Sequence, residues 1–169
     1  MSLAAEDLRS RTVEWLDPAG ARQAMGELPG AEILRRIKAG ELPAPPMARV
    51  IGFSVGEIGD GRVTFELEPR EDLENLAGML HGGVAATLLD NALGAAVHTR
   101  IPPGVGFVTL DLKVTFLKPI SLRSGMVTAE GRVLHVGRQT AYAEGDVRDA
   151  KGALCAHAVG TFSLLGPRA

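Results

Sequence analysis

The sequence predicts an α+β fold in which a curved antiparallel sheet wraps around one long central helix, behind a helical N-terminal extension. Three observations predict it. The run from Val84 to Val97 is apolar almost throughout, with one carboxylate, Asp90, in its middle. Segments with period-two alternation lie on both sides of that run, two before it and four after it. The breaks among the last four are short, and short breaks make neighbouring strands antiparallel. A helix that is apolar nearly all round is normally enclosed. A curved sheet is the geometry that encloses it.

The elements follow in order. Ala4 to Leu16 is a short helical candidate, and Trp15 within it is a candidate anchor for the extension. Ala31 to Ala39 is a second, bracketed by Gly30 and Gly40, with Ile33, Leu34 and Ile37 on one face. Pro43, Pro45 and Pro46 then end helical character. Residues 1–46 therefore read as a helical extension with a proline-rich linker, and residues 47–169 as the main domain. From Met47 the pattern turns to period two. Val63, Phe65 and Leu67 alternate with polar residues behind an Asp60-Gly61 hairpin signal. After the helix, strands are expected at Val105–Leu117, Gly125–Val136, Gln139–Arg148 and Ala153–Leu164. In the first of these, Val108, Leu110, Leu112, Val114 and Phe116 would share one face, with Thr109, Asp111, Lys113 and Thr115 on the other.

Composition narrows the function. The 169 residues are 46% hydrophobic with few aromatics, so the core rests on Leu, Val and Ala. A net charge of −2 without a basic cluster argues against a nucleic-acid partner. Cys155 stands alone, which excludes an internal disulfide and suggests a reducing compartment. No Cys/His spacing resembles a zinc site, so no metal is expected. Val84–Val97 falls short of the roughly 20 residues that span a bilayer, and no basic segment followed by an apolar one opens the chain. The expectation is a soluble cytoplasmic protein without a membrane partner.

Chemistry concentrates at Asn75-Leu-Ala-Gly78-Met-Leu-His81-Gly82-Gly83 and the helix that follows. Free N–H groups at a helix start suit an oxyanion, which makes Gly82 and Gly83 candidate donors. A carboxylate in apolar surroundings is costly unless it has a partner or a job. The two features together suggest a site that polarises a carbonyl and activates water. Gly82 and Asp90 are eight residues apart, roughly 12 Å along one helix. General-base chemistry needs a reach of about 3 Å or one intervening water. Two helices side by side and antiparallel about a twofold axis would bring Gly82 of one chain to Asp90 of the other, giving two shared sites per homodimer.

Each residue also has an ordinary explanation. A glycine pair forms tight turns, Asn75 and His81 suit a turn and a helix start, and Thr109 suits a strand. Asp90 could be a structural carboxylate, and Cys155 a small packed residue. His98, His135 and His157 lack clustered partners and carry no assigned role.

The order of elements, with N-x-x-G-x-x-H-G-G at the helix start and Asp nine residues after the His, resembles the hotdog-fold acyl-CoA thioesterases, closest to the phenylacetate-pathway (PaaI-like) group. The likeness covers about residues 47–165 and includes the strand from Phe107 to Pro119. It implies that the Gly82 N–H and the Asn75 side chain polarise the thioester carbonyl, and that His81 orients the thioester. It also implies that Asp90 is general base or nucleophile and that Thr109 holds the attacking water. Family members often carry Ser at the Thr109 position, and some carry Glu at the Asp90 position. Cofactors are not expected, CoA being part of the substrate, and the family often pairs its dimers into homotetramers. The acyl group would be aryl or medium-chain. Phosphates of CoA call for cations, and Lys118, Arg123 and Arg138 beside Gly137 are the candidates. Two other functions fit parts of the pattern. A non-catalytic acyl-CoA sensor usually carries a DNA-binding appendage, and the extension lacks a basic recognition helix. A hotdog dehydratase places its His and Asp in another arrangement.

Overall fold

The computed structural model describes residues Leu8 to Gly166. Four helices and six strands follow in the order α1 (Ala19–Glu27), α2 (Gly30–Ala39), α3 (Pro46–Ile51), β1 (Ser54–Gly59), β2 (Arg62–Leu67), α4 (Gly82–His98), β3 (Gly106–Phe116), β4 (Val127–Val136), β5 (Thr140–Arg148) and β6 (Leu154–Leu165). The strands form one antiparallel sheet in the order β1-β2-β4-β5-β6-β3. The sheet curves around α4, which is the hotdog arrangement.

The core lies between α4 and the concave face of the sheet. Leu88, Leu89, Leu93 and Val97 of α4 are fully buried against Val63, Leu67, Val127, Val147 and Phe162. Each such side chain contributes about 1.5–3 kcal/mol by leaving water. The helix sits close because the sheet offers little side chain beneath it. A Cβ on Gly131 would lie 2.2 Å from the Ala92 carbonyl oxygen, and one on Gly145 would lie 2.6 Å from a Leu93 methyl.

Three expectations need correction. The described part of the first helical candidate, Leu8–Leu16, is not helical, while Ala4–Asp7 lie outside the described residues. The first helix starts instead at Ala19, where Asp17 accepts a hydrogen bond from the Ala19 N–H. Leu8–Leu16 pairs through Arg11 with Asp72 at 2.7 Å, whereas Trp15, the expected anchor, is 56% exposed. The second correction is that Pro46 opens α3 instead of ending helicity, since a first-turn position needs no N–H donor, so Met47–Ile51 is helical and the strand pattern expected from Met47 begins at Ser54. The third concerns β3. A bulge between Thr109 and Asp111 leaves Leu110 unpaired with β6 and 60% exposed. One extra residue reverses the alternation. Phe107 and Thr109 therefore face α4 before the bulge, and Leu112 and Val114 face the core after it. The five apolar residues expected on one face are split between two.

The second helical candidate is as expected: Ile33 and Leu34 are buried, Ile37 is half-buried, and Gly40 ends α2 in the left-handed region at φ 77°. Asp60-Gly61 forms the two-residue turn between β1 and β2, with Gly61 at φ 71°.

Candidate active site

The segment before α4 is folded by its own side chains. Asn75 Oδ1 accepts from the N–H groups of Ala77 (2.9 Å) and Met79 (3.3 Å), and the Asn75 N–H donates to the Met79 carbonyl. The carbonyl end of the amide is thus occupied by the loop. Its Nδ2 donates to nothing among the described residues. His81 caps α4: its Nδ1 accepts from the Gly83 N–H at 2.9 Å, which puts the ring proton on Nε2. The two glycines are therefore unequal. Gly83's N–H is taken by the cap, and Gly82's N–H finds no acceptor among the described residues. The Phe116 ring lies over Gly82, 3.2 Å from where a Cβ would stand.

Asp90 sits two turns further along α4, half-buried. The Thr109 hydroxyl donates to its Oδ1 at 2.9 Å. Oδ2 has no hydrogen-bond donor among the described residues. The bulge in β3 is what aims Thr109 at the helix. Within one chain Gly82 and Asp90 remain two turns apart on the same helix, so the fold does not bring the oxyanion donors and the carboxylate together.

Asp90 and Thr109 form one wall of a cavity of about 550 Å³. The opposite wall comes from the N-terminal extension: Met25 of α1, Ile33, Leu34 and Ile37 of α2, and the run Pro43–Pro46. The floor continues along α4 from Asp90 through Asn91, Gly94 and Ala95 to His98. The sequence reading assigned His98 no role. Its spacing of eight residues from Asp90 repeats the helical face and was the signal that could have found it.

The basic candidates are dispersed. Lys118 Nζ is 2.6 Å from Asp149 Oδ2, and this contact raises the Lys118 pKa and lowers that of Asp149. Arg123 is exposed on the turn after Ser121, which a hydrogen bond from the Leu80 N–H to the Ile120 carbonyl holds at the N-terminal end of α4. Arg138 and Gly137 occupy the β4–β5 turn, tied to Leu164 of β6, which pairs with Phe107 near the C-terminal end of α4. The Gly137 N–H is taken by the Thr140 carbonyl and is not open to a phosphate. Arg138 therefore does not join Lys118 and Arg123. Cys155 is buried, and burial pushes its thiol pKa up, as for a packed residue. No described helix is long and apolar enough to cross a membrane.

Residues 77–156 match the family described as the thioesterase superfamily. Human acyl-coenzyme A thioesterase 13 is 32% identical over 117 residues, covering 68% of this chain and 81% of that protein. The chain belongs to the thioesterase superfamily. Its homologues make it a thioester hydrolase of the hotdog fold. A Streptococcus mutans protein solved with acetyl-CoA superposes with a TM-score of 0.61 at 28% identity, over 69% of this chain and 91% of that one. The Escherichia coli PaaI protein superposes at 0.70 and 20% identity, over 81% and 94%, a likeness of fold. The family match begins at Ala77, so it covers the start of α4 but not α1, α2 or α3. Those helices wall the cavity.

Proposed function

We propose that this thioester hydrolase cleaves acyl-CoA to free acid and CoA in a homodimer with shared sites. The observation that carries the reading is the Asp90 carboxylate on the cavity wall, aimed by the Thr109 hydroxyl and with Oδ2 free to take a proton. The acyl-coenzyme A thioesterase relative and the acetyl-CoA-bound neighbour support CoA as the leaving group.

The carbonyl oxygen accepts from the Gly82 N–H and from Asn75 Nδ2 of one chain, two of the donors left unoccupied. His81 Nε2–H stands beside them as a third donor for the thioester or for CoA. Asp90 of the partner chain takes a proton from water while the water oxygen attacks the carbonyl carbon. The Thr109 oxygen keeps lone pairs that accept from that water. The tetrahedral oxyanion collapses, the C–S bond breaks, and the CoA thiolate takes the proton that Asp90 had accepted, which regenerates the carboxylate. The long edge strand β3, with Val108 and Leu110 exposed, suits pairing with a second copy. Such pairing sets two α4 helices alongside each other, and a dimer of dimers extends the assembly. Lys118 and Arg123, at the Gly82 end, are the cations placed to meet CoA phosphates, Lys118 after exchanging Asp149 for phosphate.

Loss of a general base costs about 10²–10⁴-fold in rate. Asp90→Asn is expected to lower kcat by that range and leave acyl-CoA binding largely intact, measured as free thiol released across an acyl-CoA panel. Near-normal turnover by folded Asp90→Asn protein would remove Asp90 from the chemistry. Binding by the wild-type protein without thiol release would make it a sensor.

A further inference from the structure

His98 is the last residue of α4, buried to about nine-tenths, and it borders the cavity. Its ring packs against Phe107, with centroids 5.6 Å apart. Neither ring nitrogen makes a hydrogen bond to a described residue. Yet no sealed side-chain nitrogen or oxygen among the described residues lacks a partner. The ring nitrogens of His98 are therefore not sealed, and His98 lines the cavity. Burial lowers the His98 pKa, so the ring is neutral near pH 7 and offers one N–H donor and one lone pair.

The extension borders the cavity at this end. A Cβ on Gly30, at the start of α2, would fall 2.2 Å from the His98 carbonyl oxygen, so α2 is seated directly on the end of α4. Ile33 and Leu34 then bury against the body of the fold. The chamber runs along one helix face from Asp90 to His98, roughly 12 Å of helical rise. Between a carboxylate at one end and an imidazole at the other its lining is mostly apolar, with Asn91 on the helix face and Arg22, Lys38 and Arg49 also at its walls. Water can pair with an imidazole nitrogen that is not sealed, so a ligand that displaces this water must supply the hydrogen bond itself.

On the reading that the thioester is cleaved at Asp90, we propose that His98 is a specificity-determining residue. In this proposal the extension-walled chamber takes a medium-length acyl group whose far end carries a neutral hydroxyl or oxo group, which hydrogen-bonds His98. A site built to pair a substrate hydroxyl discriminates strongly against the analogue lacking it, because its own polar group is then left unpaired.

The test compares octanoyl-CoA with 8-hydroxyoctanoyl-CoA and 8-oxononanoyl-CoA, using wild-type protein, His98→Leu and His98→Gln. Wild type is expected to favour a polar-ended substrate by about tenfold or more in kcat/KM. His98→Leu should abolish that preference, the polar-ended substrates losing about tenfold or more in kcat/KM relative to octanoyl-CoA, and His98→Gln should restore part of it. Equal turnover of the three substrates by wild type overturns the proposal. So does an equal loss on all three in His98→Leu protein that melts normally. If His98→Leu fails to fold, His98→Gln and wild type still decide the matter. Absence of thiol release from any acyl-CoA would count against hydrolysis itself. The free acids then report on the chamber alone: calorimetric titration should show 8-hydroxyoctanoate binding wild type more tightly than octanoate, and His98→Leu binding both alike. Tightest binding of octanedioate would instead assign the far end to the exposed Arg22 and Arg49 and overturn the role of His98.

Discussion

At the residue scale the site depends on which donors are already occupied. Asn75, His81 and Gly83 hold the loop and helix start together through two Asx-type bonds and one cap. What remains is the Gly82 N–H, the Asn75 amide nitrogen and the His81 Nε2–H. The turn-and-cap explanation of Asn75 and His81 and their substrate role therefore coexist, because each side chain uses different atoms for each. Thr109 likewise does more than line a strand, since its hydroxyl fixes the Asp90 carboxylate. A hydrogen bond to a charged group is worth enough to change a rate by about 10- to 100-fold. Thr109→Val is expected to lower kcat by that factor with little change in KM, and Thr109→Ser to retain most of it. Steady-state kinetics on one acyl-CoA distinguishes them, and equal activity of the Val and Ser proteins would make the hydroxyl incidental.

At the element scale the decisive contact is α4 against the sheet. Gly131 and Gly145 are paired across β4 and β5, and neither can gain a Cβ without striking α4 or a neighbouring strand. The atom in the way at Gly131 is a helix carbonyl, which cannot swing aside as a side chain would. Overpacking of this kind costs about 1–3 kcal/mol. Gly131→Ala is expected to lose that much in a denaturant titration, while Gly20→Ala should be neutral or stabilising. Gly20 lies in α1 with nothing within 4 Å of its added Cβ. Matching stabilities for the two variants would mean that α4 has room to shift.

At the scale of the whole molecule, one chain holds all the proposed groups but places them two turns apart. A site drawn from two chains predicts complementation. Asp90→Ala and Asn75→Ala proteins should each be nearly inactive alone. A mixed dimer holds one site with intact Asn75 from one chain and intact Asp90 from the other, so co-expression should recover part of the wild-type activity. Demonstrated heterodimers without recovery would contradict the shared site.

The strands, the central helix and the Asn75–Asp90 motif were legible in the sequence because each is written in local terms. Period two in β4 to β6, the apolar run of α4 and the Asp60-Gly61 turn need no distant partner to be recognised. The bulge in β3 was not legible, because an unbroken alternation through Leu110 is as good a pattern as an interrupted one. Only pairing with β6 decides where the extra residue goes, and with it which way Thr109 points. Helix α1 escaped notice for a related reason: its segment is weakly patterned, and burial of Ala24 beside α2 selects it over Leu8–Leu16. The cavity belongs wholly to tertiary structure. Residues near positions 25, 35, 45, 90 and 107 meet there, and no local pattern records that α2 seats on the end of α4 and brings His98 into the cavity lining.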